Sequence, residues 1–224
     1  MSLDCSRIRA LCFDVDGTLR DTDDQYVERL AGYLRTASFL LSGKEPRIVA
    51  RRLIMAIEDP GNLIFNLVDV LGIDNLISRS LGQMEKVHTR KITHPLIVPG
   101  VVGMLEALGQ RYPLAIISAR SQTATLDFLE SSQLGGFFSV IVTGQSCTRT
   151  KPHPMPVLWA AAQMGIPPEA CLMVGDTTVD IRAGRTAGAQ TAGVLCGFGM
   201  KDELLRAGAD LILTSTPELT SYLL

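Results

Sequence analysis

Residues 8–18 read IRALCFDVDGT, an apolar run that stops at two carboxylates and a glycine. The run over 8–13 has the length and β-branched or aromatic content of a buried strand. Asp14 and Asp16 stand two apart, so on an extended chain their side chains point to one face. Gly17 lets the chain turn at once, and the carboxyl end of a strand is where open α/β sheets take ligands. The stretch alone also fits an acidic strand-to-helix turn in which Asp caps a helix. Two facing carboxylates repel by about 1 kcal/mol at 4 Å in water and by about 4 kcal/mol at an effective dielectric of 20. A cation between them reverses that penalty.

Similar short apolar runs recur at 114–118 (LAIIS), 139–143 (SVIVT), 170–174 (ACLMV), 190–195 (QTAGVL) and 210–213 (DLIL). Helical patterns lie between them at 101–110, 122–129, 155–164 and 178–187. Strand and helix in alternation predict βαβ units and a parallel sheet. The stretch 22–94 breaks the rhythm, with helical periodicity over 26–41 and 47–57 and no comparable strand. Asp59, Pro60 and Gly61 mark a turn inside it, and Pro95, Pro99 and Gly100 mark the return to the core. The expectation is an α/β core over 1–21 and 95–224, with a helical insertion over 22–94.

Further candidates for chemistry stand at other strand ends. Residues 175–180 read GDTTVD, and Asp176 and Asp180, four apart, share a face if a helix starts there. Oxygen donors of this kind suit a hard ion such as Mg²⁺. Ser118 closes the strand AIIS, where its hydroxyl and the following N–H groups are placed to hold phosphoryl oxygens. Lys151 opens the turn KPHP, where Pro152 and Pro154 limit backbone freedom. Taken singly, a serine at a strand end is ordinarily a cap and a lysine in a loop is ordinarily solvated.

In the order DxDGT, Ser118, Lys151, GDxxxD, the motifs resemble the haloacid dehalogenase superfamily, in particular its phosphoglycolate phosphatase-like members. The resemblance covers nearly the whole chain, including PLIVPGVVGMLEAL at 95–108 and AGRTAGAQTAGV at 183–194. It implies a Rossmann-like core with an α-helical cap inserted between the first and second motifs. It implies that Asp14 attacks phosphorus to form an aspartyl-phosphate, while Asp16 protonates the leaving oxygen and then activates water. Ser118 and Lys151 join them as catalytic residues, and Thr18, Ser118, Ala119, Arg120 and Lys151 are expected on the phosphate. Mg²⁺ is expected on Asp14, the carbonyl of Asp16, and Asp176, with Asp180 acting mainly through the groups it touches.

An acid at position 16 points to phosphate-ester chemistry rather than to dehalogenation, phosphonate cleavage or ion pumping. Ala119 stands where Asn or Gly is frequent, with little effect expected because backbone N–H groups do the holding. The substrate class is a small phosphorylated metabolite, phosphoglycolate first, with pyrophosphate, a sugar phosphate or a nucleotide monophosphate open. A β-phosphoglucomutase-like isomerase and a catalytically silent phospho-ligand sensor are the alternatives. A hinge is expected where the chain crosses between core and cap, at 20–22 and 95–100.

The bulk properties agree. Of 224 residues, 46% are hydrophobic and 20% charged, an ordinary balance for a globular enzyme. A net charge of -2 gives no basic footprint for nucleic acid or an anionic membrane. Five cysteines without a CxxC pair indicate neither a disulfide framework nor a zinc site, which fits a reducing cytoplasm. No apolar run reaches the roughly 18 to 20 residues of a membrane span, and no signal pattern opens the chain. The protein is expected to act as a monomer or homodimer.

Other features read as structure. His88, His94 and His153 have no partner at metal-ligand spacing. Arg47, Arg51, Arg52, Arg79, Lys86, Arg90 and Lys91 are expected to form a solvated face, and Trp159 to pack. Gly197, Phe198 and Gly199 begin like a dinucleotide loop, but Asp202 occupies the third glycine position.

Overall fold

The computed structural model describes residues 3–21 and 96–224, together with Gly32, Tyr33 and Arg35. The chain divides into two compact units, Met1–Thr22 with His94–Leu224, and Asp23–Thr93. Apart from Gly32, Tyr33 and Arg35, which are helical and exposed, the second unit lies outside the described residues. So do the helices expected at 26–41 and 47–57, His88, His94 and the seven cations singled out between Arg47 and Lys91.

The first unit holds β1 (Ala10–Phe13), α1 (Val101–Gly109), β2 (Leu114–Ile117), α2 (Gln122–Ser131), β3 (Val140–Val142) and α3 (Met155–Met164). It continues with β4 (Cys171–Gly175), α4 (Thr178–Ala187), β5 (Gln190–Val194), α5 (Lys201–Ala207), β6 (Leu211–Leu213) and α6 (Thr220–Leu223). The six strands form one parallel sheet in the order β3-β2-β1-β4-β5-β6, the expected Rossmann-like core.

Alternation along the strands builds two apolar layers, because successive side chains point to opposite faces. Leu11, Phe13, Leu114, Ile116, Leu172 and Val174 face the α1 side, where Val101, Leu105 and Leu108 meet them. Ala10, Cys12, Ala115, Ile117, Cys171 and Met173 face the side covered by Val157, Ala160 and Ala161 of α3 and Ala183 of α4. Burying a side chain such as Leu11 or Phe13 contributes roughly 1.5–3 kcal/mol. A sheet covered on both faces explains why its central strands β1, β2 and β4 read as continuous apolar runs.

The strands on either side of β1 are β2 and β4, so the connections run outward in both directions from this pair. That reversal opens a crevice beyond the carboxyl ends of β1 and β4, where doubly wound sheets bind their ligands. Both ends of the insertion emerge nearby. Asp21 N–H donates to the Leu96 carbonyl and Val98 N–H to the Leu19 carbonyl, each at 3.0 Å, so the outgoing and returning segments run antiparallel side by side.

Candidate active site

Asp14 follows β1 directly, and its N–H donates to the Val174 carbonyl at 3.0 Å, extending the ladder to the edge of the crevice. The chain then curls around the Val15 carbonyl, which accepts from the N–H groups of Thr18, Leu19 and Arg20 at 3.3, 2.9 and 2.8 Å. Gly17 takes φ of 75° inside this curl, and a Cβ there would collide with the Asp176 carboxylate. The curl returns Arg20 onto Asp16, with Arg20 Nη1 donating to Asp16 Oδ1 at 3.0 Å.

Lys151 is the hub of the buried part. Its Nζ donates to Asp14 Oδ1 and to Asp180 Oδ1, both at 2.6 Å, and its side chain is 4% exposed. Burial disfavours the ammonium, but Asp14 and Asp180 outweigh that and hold the Lys151 pKa above its ordinary value. Asp180 is pinned from the other side, its Oδ2 accepting from the Thr177 N–H at 3.0 Å and hydroxyl at 2.6 Å. These contacts tie the start of α4 to the Lys151 loop.

Asp176 lies just beyond β4 and is fully buried. Its Oδ2 accepts from the Phe198 N–H at 2.7 Å, whereas Oδ1 has no hydrogen-bond partner among the described residues. A buried acceptor left alone costs about 1–3 kcal/mol, which a ligand removes. Oxygens of Asp14, Asp176 and Asp180 all lie within 4.8 Å of one another. Three carboxylates against one ammonium leave two negative charges, and an all-oxygen set with an orphaned acceptor fits a divalent cation.

The same crowding perturbs the acids. Burial pushes the Asp14 carboxyl up to about 7 against the pull of Lys151, with Asp180 and Asp16 adding to the rise. Burial also raises Asp176 well above its ordinary value, and Asp180 and Asp14 push the same way.

Other sites expected from the sequence fall around this centre. Asp16 is one-third exposed and accepts a second contact on Oδ1 from Arg120 Nη1, at 2.8 Å. Ser118, at the end of β2, is buried, and its Oγ accepts from the Arg120 N–H at 3.1 Å. Ala119 is half-buried beside it. Thr18 stands apart: it is fully buried, its hydroxyl has no partner among the described residues, and its carbonyl accepts from Thr216 Oγ1 at 2.6 Å. His153 accepts from the Met155 N–H through Nδ1 at 3.2 Å, and Trp159 is 38% exposed, only partly packed.

Three contributors were not singled out from the sequence. Arg20 was legible as an i, i+4 partner of Asp16. Thr177 was legible as the polar residue before a helix. The segment Gly197–Gly199 was set aside as a failed dinucleotide loop, yet a Cβ at either glycine would collide with Asp176. Its glycines let the Phe198 N–H reach the carboxylate.

The family model for haloacid dehalogenase-like hydrolases matches residues 11–194, a span that contains all four motifs. The chain belongs to that family. This hydrolase is 34% identical over 198 residues to a pyrophosphatase PpaX of Oceanobacillus iheyensis, covering 87% of this chain and 86% of the relative. It is 27% identical over 234 residues to a phosphoglycolate phosphatase of Escherichia coli O157:H7, covering 95% and 91%. A hydrolase from Pseudomonas syringae of known crystal structure superposes with a TM-score of 0.70 at 25% identity, covering 96% of this chain and 97% of that one.

Proposed function

We propose that the chain is a Mg²⁺-dependent phosphatase that hydrolyses a small phosphate monoester, phosphoglycolate-like in character, through an aspartyl-phosphate. The observation that carries the reading is the Asp14 carboxylate at the switch point of the sheet. It is held by Lys151 beside the unpartnered Asp176 oxygen, with Asp16 the most exposed acid of the set. Relatives that carry the names pyrophosphatase and phosphoglycolate phosphatase support it.

In the first step an Asp14 oxygen attacks phosphorus, the bond to the ester oxygen breaks, and Asp16 gives a proton to the departing oxygen. In the second, Asp16 takes a proton from water as that water attacks phosphorus. The bond to Asp14 then breaks, releasing inorganic phosphate and restoring both acids. Lys151 balances the charge on Asp14, and Asp180 and Thr177 hold Lys151 in place. The Ser118 hydroxyl and the backbone around Ala119 and Arg120 hold the phosphoryl oxygens. Asp14, the Asp16 carbonyl and Asp176 would hold Mg²⁺, which would supply positive charge against the phosphoryl group. Residues 22–94 are assigned to a helical cap that selects substrate, with its hinge where the chain crosses at 20–22 and 95–100. The free cysteines suit a reducing cytoplasm.

The test is phosphate release from p-nitrophenyl phosphate and a panel of metabolite phosphates, with Mg²⁺ or with EDTA, for native protein and Asp14→Asn. Release that needs Mg²⁺ and vanishes in the variant is expected. Folded, Mg²⁺-loaded protein that releases nothing refutes the phosphatase, and consumption of a sugar phosphate without matching phosphate release identifies a mutase.

A further inference from the structure

Asp16 carries more cationic contact than one acid needs. Arg20 Nη1 and Arg120 Nη1 both reach its Oδ1, at 3.0 and 2.8 Å, from chain segments 104 residues apart in the case of Arg120. Their side chains are 22% and 25% exposed, against 33% for Asp16. A guanidinium offers five N–H donors in a rigid fork. Among the described residues neither fork has another hydrogen-bond partner, and both side chains reach the solvent edge of the site.

Charge separates the site into two zones. The buried zone of Asp14, Asp176, Asp180 and Lys151 carries two net negative charges, which a divalent cation balances. The outer zone of Asp16, Arg20 and Arg120 carries one net positive charge with Asp16 as the carboxylate, and two when Asp16 holds the proton it gives to the leaving oxygen. In the reaction above, Asp16 protonates the leaving oxygen, so whatever that oxygen is bonded to passes beside the two arginines. A neutral alkyl group there leaves the surplus charge unanswered.

We propose that Arg20 and Arg120 form a subsite for a second anionic group on the substrate, a carboxylate or a second phosphoryl group close to the leaving oxygen. The proposal rests on the phosphatase reading. Planar, bidentate pairing is what an arginine fork offers carboxylate and phosphoryl oxygens alike. The pair therefore selects anionic esters over neutral ones of the same size.

The experiment compares kcat/KM for phosphoglycolate, pyrophosphate and ethyl phosphate, with Mg²⁺, in native protein, Arg20→Gln and Arg120→Gln. An effect transmitted through Asp16 falls similarly on phosphoglycolate and ethyl phosphate, which both expel an alkoxide, and less on pyrophosphate, which expels the weaker base phosphate, so weakening the acid lowers neither ratio to ethyl phosphate. Native protein is expected to prefer at least one anionic substrate over ethyl phosphate. That preference is expected to fall about 10- to 100-fold in each variant, mainly through KM. The arm that falls identifies the anion, carboxylate or phosphoryl. Preference ratios unchanged within about two-fold in both variants overturn the subsite, as does native protein that treats ethyl phosphate as well as the anionic pair. No turnover of any of the three by folded native protein sinks the phosphatase reading instead. If one variant fails to fold, the other decides.

Discussion

Raising the pH of metal-free protein is expected to weaken the core, and adding Mg²⁺ to restore it. Asp14 is pushed by burial from an ordinary 3.8 to about 7, and Asp176 is raised in the same direction. Between these limits the folded state binds more protons than the unfolded chain, so stability falls as pH rises. At about 1.4 kcal/mol per pH unit, the Asp14 site alone contributes a loss of roughly 2 kcal/mol from pH 5.5 to 7. For a chain of this size that lowers Tm by about 4–8 °C. Lys151, raised above its ordinary value, contributes nothing in this window because it stays charged throughout.

A cation present at about 100 times its Kd returns about 2.7 kcal/mol, and it returns more at pH 8 than at pH 5.5 because protons compete for the same oxygens. The assay is thermal unfolding by circular dichroism at pH 5.5, 6.5, 7.5 and 8, in EDTA or in excess Mg²⁺. Asp14→Asn, which removes the titrating acid, serves as the control with a flatter profile. A metal-free Tm that holds level or climbs from pH 5.5 to 8, or a Mg²⁺ gain independent of pH, refutes this account of the buried charges.

Three further outcomes follow from the same contacts. Asp14→Asn removes the proposed nucleophile, and phosphate release should fall by about 10⁴-fold or more with the fold retained; a loss below about ten-fold would exclude Asp14 from that role. Lys151→Met leaves Asp14 and Asp180 without their shared ammonium, which should cost about 3–5 kcal/mol in metal-free urea unfolding; a change under about 1 kcal/mol contradicts the hub. Gly199→Ala forces a Cβ onto the Asp176 backbone carbonyl. Calorimetry should then show Mg²⁺ binding weakened about ten-fold or more, whereas Phe198→Ala, which keeps the N–H, should bind as native does.

Strands β1, β2 and β4 were legible because every residue in them is buried and they read as uninterrupted apolar runs, whereas β3 and β6 are short, partly buried edge strands and β5 opens on Gln190 and Thr191. Their edges were less so. The run over 8–13 begins two residues before β1, because Ile8 still closes the single 3-10 turn Cys5–Arg7. Helix α5 escaped notice since Leu204 is its one buried residue, too little for an apolar stripe. Asp14, Asp176, Asp180 and Lys151 were placed together by strand-end logic, and the structure does gather them. The Arg120 contact with Asp16 was not legible, because it joins two loops whose approach depends on the pairing of β1 with β2. The loop after β5 was set aside as no dinucleotide loop, but that its glycines let the Phe198 N–H reach the Asp176 carboxylate was not legible, because spacing alone does not show what a glycine packs against.

The paired crossing at Asp21 and Leu96 makes the rest of the unit nearly indifferent to what lies between them. With the two ends fixed in register, closing a longer excursion costs only about 0.6 kcal/mol for each doubling of its length. A short turn joining the paired segments in place of residues 22–95 should leave sheet, acids and arginines assembled. Replacing what lies between them should therefore leave both the acids and the arginine pair's preference for anions in place.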